Sequence, residues 1–230
     1  MKLSIIIPVF NEKNTISKIL DRVKSINLNQ IISKEIIIVD DCSTDGTKEF
    51  LKDLEIKENK NIKIDYSNNN EGKGASIRKG LQKVSGDIVL IQDADLEYDP
   101  NDYNKLLHPI INNEADVVYG SRFAGAGSTR VLFFWHRIAN GLLTLLSNMK
   151  SNLNLTDMEC GYKAFKTSVI KSINLRENRF GFEPEVTIKL AKKGFIFYEV
   201  GISYHGRNYD QGKKIGIKDA FSALYCILRY

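Results

Sequence analysis

Five short runs rich in β-branched residues, spaced through the first 120 positions and separated by helix-period stretches, constrain this chain more than any other feature. They fall at residues 3–9, 35–39, 62–66, 87–91 and 116–119. Most are apolar throughout instead of alternating, which is how strands buried on both faces of a parallel sheet read. Between them, residues 15–26 set Ile16, Ile19, Leu20 and Val23 on one helical face. Further helices are predicted from Ser43 or Thr44, either of which can cap it, to about Leu54, and over 75–84 and 102–111. Strand and helix in alternation predict an α/β fold, a mostly parallel central sheet flanked by helices with right-handed crossovers.

Beyond residue 120 the rhythm changes. A glycine-rich segment at 123–127 leads into a helix in which Trp135, Ile138, Leu142, Leu145 and Met149 recur at helical spacing. A helix over 183–193, a strand over 195–200, a basic loop at 207–214 and a last amphipathic helix with Ala220, Phe221, Leu224 and Leu228 follow. Core packing is the expected fate of both apolar helix faces, with a membrane surface as the alternative. No linker or break in composition interrupts the chain, so residues 1–230 read as one domain.

Composition mainly excludes. With 43% hydrophobic and 27% charged residues and only 4 prolines, the chain is globular and not disordered. Three cysteines, widely spaced and odd in number, give neither a disulfide framework nor a metal-binding pair, and point to a reducing, cytoplasmic compartment. The three histidines lack zinc-ligand spacing. Asn11 and Glu12 follow the first apolar run where a secretory cleavage site would need small residues. The longest apolar stretch, 131–149, is interrupted by His136, Arg137 and Asn140, which argues against a membrane span. The net charge of +5 hides a division: 16 basic against 20 acidic side chains in residues 1–120, and 17 against 8 beyond. A front half with an acidic excess and a modest total disfavour nucleic acid as partner.

In parallel sheets, ligands collect where the carboxyl ends of strands meet loops, and three motifs fall there. Gln92-Asp93-Ala94-Asp95-Leu96-Glu97 leaves the fourth run. Its carboxylates can converge on Mg2+ or Mn2+, ions that take one or two carboxylates and complete their shell with phosphate and water. An acidic helix cap is the plainer explanation. Asp40-Asp41-Cys42-Ser43-Thr44-Asp45-Gly46 closes the second run. There Asp40 can accept hydrogen bonds from a ribose or a base edge while Asp41 and Asp45 serve the turn. Glu71-Gly72-Lys73-Gly74-Ala75-Ser76 lacks phosphate-loop spacing. It is either a helix start or a place where glycines let a ligand approach beside Lys73.

Taken in order, Pro8-Val9-Phe10-Asn11-Glu12, the Asp40 segment, Gly72-Lys73-Gly74-Ala75-Ser76 and the Asp93 segment resemble the family-2 glycosyltransferases of GT-A fold, and within them the dolichyl- and polyprenyl-phosphate sugar synthases. The resemblance continues through Gly120-Ser121-Arg122, Leu155-Thr156-Asp157-Met158, Gly161-Tyr162-Lys163, Phe180-Gly181-Phe182-Glu183-Pro184-Glu185, Tyr204-His205-Gly206-Arg207 and Gly212-Lys213-Lys214-Ile215. It implies a donor-nucleotide and metal half over 1–120 and an acceptor half over 121–230. Pro8, Phe10, Glu12 and Asp40 would hold the nucleotide of a sugar donor. Asp93, Ala94 and Asp95 would form the metal-centred motif, with Glu97 as a third ligand where relatives often carry Gln. Arg122, Arg207 and Lys213 would face the donor diphosphate or the acceptor phosphate, and Asp95, Arg122 and Arg207 would carry the chemistry.

The implied reaction is inverting transfer of a hexose from a GDP-mannose or UDP-glucose type of donor to polyprenyl phosphate, with Mg2+ or Mn2+ as cofactor. Such an acceptor arrives as an anion and needs positioning more than a base. A sugar or protein hydroxyl acceptor is the alternative and would need a base, for which Asp157, Glu159, Glu183 and Glu185 are candidates. A non-catalytic nucleotide-sugar-binding module is a further alternative. The expected setting is the cytoplasmic face of a membrane, with peripheral attachment and a membrane-anchored partner as one way of securing it. The sequence stops at Tyr230 without the transmembrane helices that some such enzymes append. It reads as a form that relies on peripheral contact or as the catalytic part of something longer.

Overall fold

The structure is a computed structural model that describes residues 1–31, 33–57, 61–125, 130–131, 133–207 and 217–230. Its strands are β1 (Lys2–Val9), β2 (Ser33–Asp40), β3 (Ile62–Tyr66), β4 (Ile88–Ile91), β5 (Val117–Ser121), β6 (Lys163–Lys166) and β7 (Phe197–Gly201). Its helices are α1 (Ile16–Ser25), α2 (Thr47–Lys57), α3 (Lys73–Lys83), α4 (Tyr103–Ile111), α5 (Phe134–Ser151), α6 (Thr167–Lys171), α7 (Phe182–Lys192) and α8 (Ile217–Arg229). One seven-stranded sheet of order β3-β2-β1-β4-β6-β5-β7 runs through both halves of the chain.

All five strands read from the apolar runs form, and the β3-β2-β1-β4 portion is parallel throughout. Leu3, Ile5, Ile7, Ile36, Ile38, Ile88 and Leu90 pack towards α1 and α4, while Ile6, Ile37, Val39, Val89 and Ile91 face the opposite layer. That two-sided burial is why these runs carry no alternation.

The structure adds β6, absent from the sequence reading, and seats it antiparallel between β4 and β5. It also adds the short α6 immediately after it. The four residues Lys-Ala-Phe-Lys offer no apolar run, yet Lys163 is wholly buried. Its ammonium donates to the carbonyls of Met158 and Cys160 and lies 4.3 Å from the centre of the Tyr119 ring, contacts that offset part of its desolvation. The expected cap of α2 is also corrected. Asp45, not Ser43 or Thr44, accepts from the Thr47 backbone N–H at 3.0 Å, while Ser43 and Thr44 bond to Asn11.

The sharpest difference concerns α5. Trp135, Ile138, Leu142, Leu145 and Met149, expected to face the core, are exposed by about half of their surface or more. A neighbouring row containing Leu143 and Leu146 packs inward instead, with Thr144 and Ser147 buried beside it. On α8, which packs against α5, Phe221, Tyr225 and Leu228 are also exposed. Among the described residues no helix is long and apolar enough to cross a membrane.

At the amino edge of the sheet, Glu35 is buried and ties four segments together. It accepts from Ser4 Oγ at 2.6 Å and Ser85 N at 2.8 Å, and pairs with Lys63 and Lys2 at 3.0 Å each. Burial alone would raise its pKa, but these donors win and hold the carboxyl well below the usual range. Glu35→Gln would turn an amide N–H2 towards donors and destabilise the protein by about 2 kcal/mol at neutral pH. Because the depressed pKa contributes stability above the ordinary glutamate value and loses it as pH falls towards the folded one, the gap between variant and wild type closes in acid. Urea melts at pH 7 and pH 4 measure it.

Candidate active site

The carboxyl ends of β1, β2 and β4 open onto one edge, and each is followed by a non-glycine residue in left-handed conformation: Asn11 at φ 51°, Cys42 at φ 64° and Leu96 at φ 65°. Such conformations cost of the order of 1 kcal/mol each and persist only where surrounding contacts impose them. Here they turn the chain so that Glu12, Asp40, Asp93, Asp95 and Glu97 gather on that edge.

The loop after β4 is held from beneath by aromatic residues. Gln92, fully buried, accepts from Tyr103 Oη at 2.8 Å and from Tyr162 Oη at 2.6 Å, and donates to the Asp93 carbonyl at 2.9 Å. Tyr98 stacks on Tyr162 with ring centres 4.8 Å apart and accepts from the Gly161 N–H. The loop is thereby fixed on both sides of Asp93 and Asp95.

Two cations neutralise the acids. Lys73 Nζ lies 2.9 Å from Asp93 Oδ1 and 3.3 Å from Glu183 Oε1. Burial acts to lower its pKa, but the two carboxylates outweigh it and raise the value above that of a free lysine. Arg207 reaches Asp95 Oδ2 at 3.0 Å, Glu12 Oε2 at 3.3 Å and Glu97 Oε1 at 3.6 Å. Burial and then the neighbouring charges of Asp93 and Glu97 push the Asp95 carboxyl up to about 7, against the pull of Arg207.

Asp40 is fully buried and, although Oδ2 accepts from Ser43 N at 3.3 Å, Oδ1 has no hydrogen-bond partner among the described residues. An orphaned buried acceptor at a ligand edge fits a base or ribose donor. Asp41 accepts from Glu71 N and Gly72 N at 2.9 and 2.7 Å, and Asp45 from Lys13 N at 3.1 Å, so both serve the turns. Pro8 pairs with Val39 and Val9 with Asp40 at the end of β1, and Phe10 lies just beyond the strand.

Asp93 and Asp95, with Ala94 buried between them, suit a hard divalent ion that completes its shell with phosphate and water. The guanidinium already seated on Asp95 marks the place as one that accepts positive charge. Among the described residues no three His, Cys, Asp or Glu side chains are arranged to hold an ion alone. Glu97 in particular is engaged elsewhere, accepting from Tyr204 Oη at 2.9 Å and from the Arg207 N–H at 2.7 Å.

Arg122 makes a bidentate pair with fully buried Asp157, Nε and Nη2 each 2.7 Å from a carboxylate oxygen, and its guanidinium lies 5.3 Å from the centre of the Tyr204 ring. Asn140 on α5 contacts both partners. Lys213 lies outside the described residues.

Two site residues went unrecognised in the sequence. Lys73 was noted only as a neighbour of glycines. Gly161 supplies the space beside Asp93, since a Cβ there would sit 2.3 Å from Asp93 Oδ2 and 2.9 Å from Lys73 Nζ. Gly72 and Gly74 approach the backbone of residues 177–179, and α3 begins at Lys73, so the motif forms a helix start.

This sheet, with acids at the end of its fourth strand, has the GT-A glycosyltransferase fold. Solved structures of glucosyl-3-phosphoglycerate synthase from Mycobacterium tuberculosis superpose over 99% of this chain and 78% of theirs with a TM-score of 0.74 at 18% identity, in one case in complex with Mn2+, UDP and phosphoglyceric acid. The family model described as Glycosyl transferase family 2 matches residues 4–173, and the chain belongs to that family. A dolichol-phosphate mannosyltransferase from Pyrococcus furiosus is 27% identical over 94% of this chain and 61% of its own length. A dodecaprenyl-phosphate galacturonate synthase from Rhizobium johnstonii is 25% identical over 99% and 66%. The chain thus spans about two thirds or less of these relatives. It spans 94% of a UDP-N-acetylglucosamine–dolichyl-phosphate N-acetylglucosaminyltransferase from Methanococcus voltae, at 28% identity.

Gly161→Ala should drive the Asp93 carboxylate off Lys73. Mn2+ binding followed by electron paramagnetic resonance is expected to weaken by about tenfold while the fold is kept, a steric shift costing of the order of 1.4 kcal/mol at the site.

Proposed function

We propose that the chain is an inverting, metal-dependent transferase that moves a hexose from a nucleotide-diphosphate sugar to polyprenyl phosphate at a membrane surface. The observation that carries the choice of acceptor is the state of the four acids named above as candidate bases. Asp157 is locked to Arg122. Glu185 is buried, accepting from Arg176 N and Glu177 N at 2.8 Å and pairing with Lys189. Glu183 is buried against Lys73. Burial and then the charge of Glu183 push the Glu159 carboxyl well above the usual carboxylate range. None of these four is placed as a base for a hydroxyl, whereas an anionic phosphate requires none. The relatives in which lipid phosphates are named support the same acceptor class.

On this reading Asp40 and Glu12 receive the nucleoside, and Asp93 and Asp95 are the ligands of Mg2+ or Mn2+. The ion's contribution is to neutralise charge on the departing diphosphate. Arg207 and Lys213 collect phosphate, the arginine through its planar fork. Arg122 shapes the acceptor side with Asp157 and Asn140. Lys73 holds the Asp93 carboxylate aimed, and the left-handed turns hold the edge ready before substrate arrives.

The exposed rows of α5 and α8 give the acceptor a place to be presented. A helix with Trp135, Leu142, Leu145 and Met149 outward and Arg137 and Lys150 on its flanks suits the cytoplasmic face of an anionic bilayer. A membrane-anchored partner on the same face would add to that attachment.

Labelled GDP-mannose, UDP-glucose and UDP-N-acetylglucosamine, each incubated with polyprenyl phosphate and extracted into organic solvent, test the reaction. One donor is expected to yield lipid-soluble label, and label in none of them redirects the assignment to a hydroxyl acceptor. Asp95→Ala should lower kcat by at least about a hundredfold, the scale of losing one charge-stabilising group, with an unchanged circular dichroism spectrum. Full activity in EDTA would remove the metal. Changing Trp135, Leu142 and Leu145 to serine should abolish co-sedimentation with anionic vesicles but spare turnover of a short-chain, water-soluble acceptor.

A further inference from the structure

The two arginines of the site are held in different ways. Arg122 makes a short, parallel fork on one carboxylate, 2.7 Å to each oxygen of Asp157. Arg207 makes only a long one, with both Nη atoms 3.3 Å from the Glu12 carboxylate. Its Nη atoms touch Glu12 at 3.3 Å and Asp95 at 3.0 Å, its Nε stands 3.6 Å from Glu97, and that buried Nε has no hydrogen-bond partner among the described residues. The guanidinium thus balances three carboxylates without a short fork on any one.

Its backbone, by contrast, is well anchored. The Arg207 N–H donates to Glu97 Oε1 at 2.7 Å, the His205 N–H to the Glu97 carbonyl at 2.8 Å, and Arg130 Nη1 to the Gly206 carbonyl at 3.0 Å. The side chain can therefore move while its root stays in place.

We propose that Arg207 is the resident counter-cation of this site and trades Asp95 for a phosphate group when a divalent cation is taken up. The inference rests on Asp93 and Asp95 as cation ligands, as proposed above. Asp95 belongs to both arrangements, and two positive groups on one carboxylate repel each other. Uptake of the ion weakens the hold of Asp95 on Arg207, and the donor diphosphate that accompanies the ion offers the short bidentate contact that the present, longer ones do not. Without substrate, Arg207 keeps Glu12, Asp95 and Glu97 from repelling one another. With substrate, it becomes a phosphate ligand without any change in the anchored backbone. Arg207 is a positioning residue in the first state and a binding residue in the second.

The test is a Mn2+ titration of the whole protein without donor, followed by electron paramagnetic resonance, for wild type, Arg207→Gln, Arg207→Lys and Asp95→Asn. Removing a competing charge of this partly exposed kind should make Arg207→Gln bind Mn2+ about tenfold more tightly than wild type. Arg207→Lys should stay near wild type, because the charge is kept. A purely structural arginine would weaken binding on removal. Equal or weaker binding by Arg207→Gln, with a wild-type thermal melt, overturns the exchange. If Asp95→Asn binds Mn2+ as wild type does, the cation site itself is wrong; if Asp95→Asn loses Mn2+ and Arg207→Gln gains nothing, only the exchange fails.

Discussion

Mutual repulsion among Glu12, Asp93, Asp95 and Glu97 is the constraint that the rest of the structure answers. Carboxylates drawn to one edge of a sheet raise one another's pKa unless cations are placed among them. Lys73 and Arg207 supply those cations from well outside the acids' own loops, Arg207 lying 195 residues from Glu12. Each brings its own scaffold. Lys73 is the first residue of α3, whose start is pressed against residues 177–179. Arg207 follows β7, which pairs with β5 at the edge of the sheet. The antiparallel β6 closes the gap between β4 and β5 and carries the chain directly from Gly161, the residue that makes room for Asp93 and Lys73 to meet.

What could be read in advance follows from the range of each interaction. Apolar runs and helical periods are local, and they located β1 to β5 and the helices around them. The acids at strand ends were legible because the ends of parallel strands share one edge. The charge division between front and back foreshadowed acids met by cations from later in the chain, but Lys73, the cation buried deepest among them, belongs to the front half. β6 was hidden because its burial depends on carbonyls and a Tyr119 ring supplied from elsewhere. The outward face of α5 was hidden for another reason: helical period reports an apolar stripe without saying which of two adjacent rows meets the core.

Gly161 and the fork of Arg122 on Asp157 show the same limit at the site. Nothing near position 161 says that a methyl group there would collide with a carboxylate from residue 93. Nothing near position 122 says that its guanidinium is committed to residue 157 before any phosphate arrives. Motif order identified the family, while only the assembled fold separates residues that touch substrate from those that hold them.

The left-handed turns at Asn11, Cys42 and Leu96 carry a thermal consequence. A globular protein's total stability is only about 5–15 kcal/mol, so three strained residues at one edge take a sizeable share of it. The strain is released by local opening of that edge, which needs no disruption of the β3-β2-β1-β4 sheet beneath. On warming, this edge is therefore expected to loosen before the body of the protein melts.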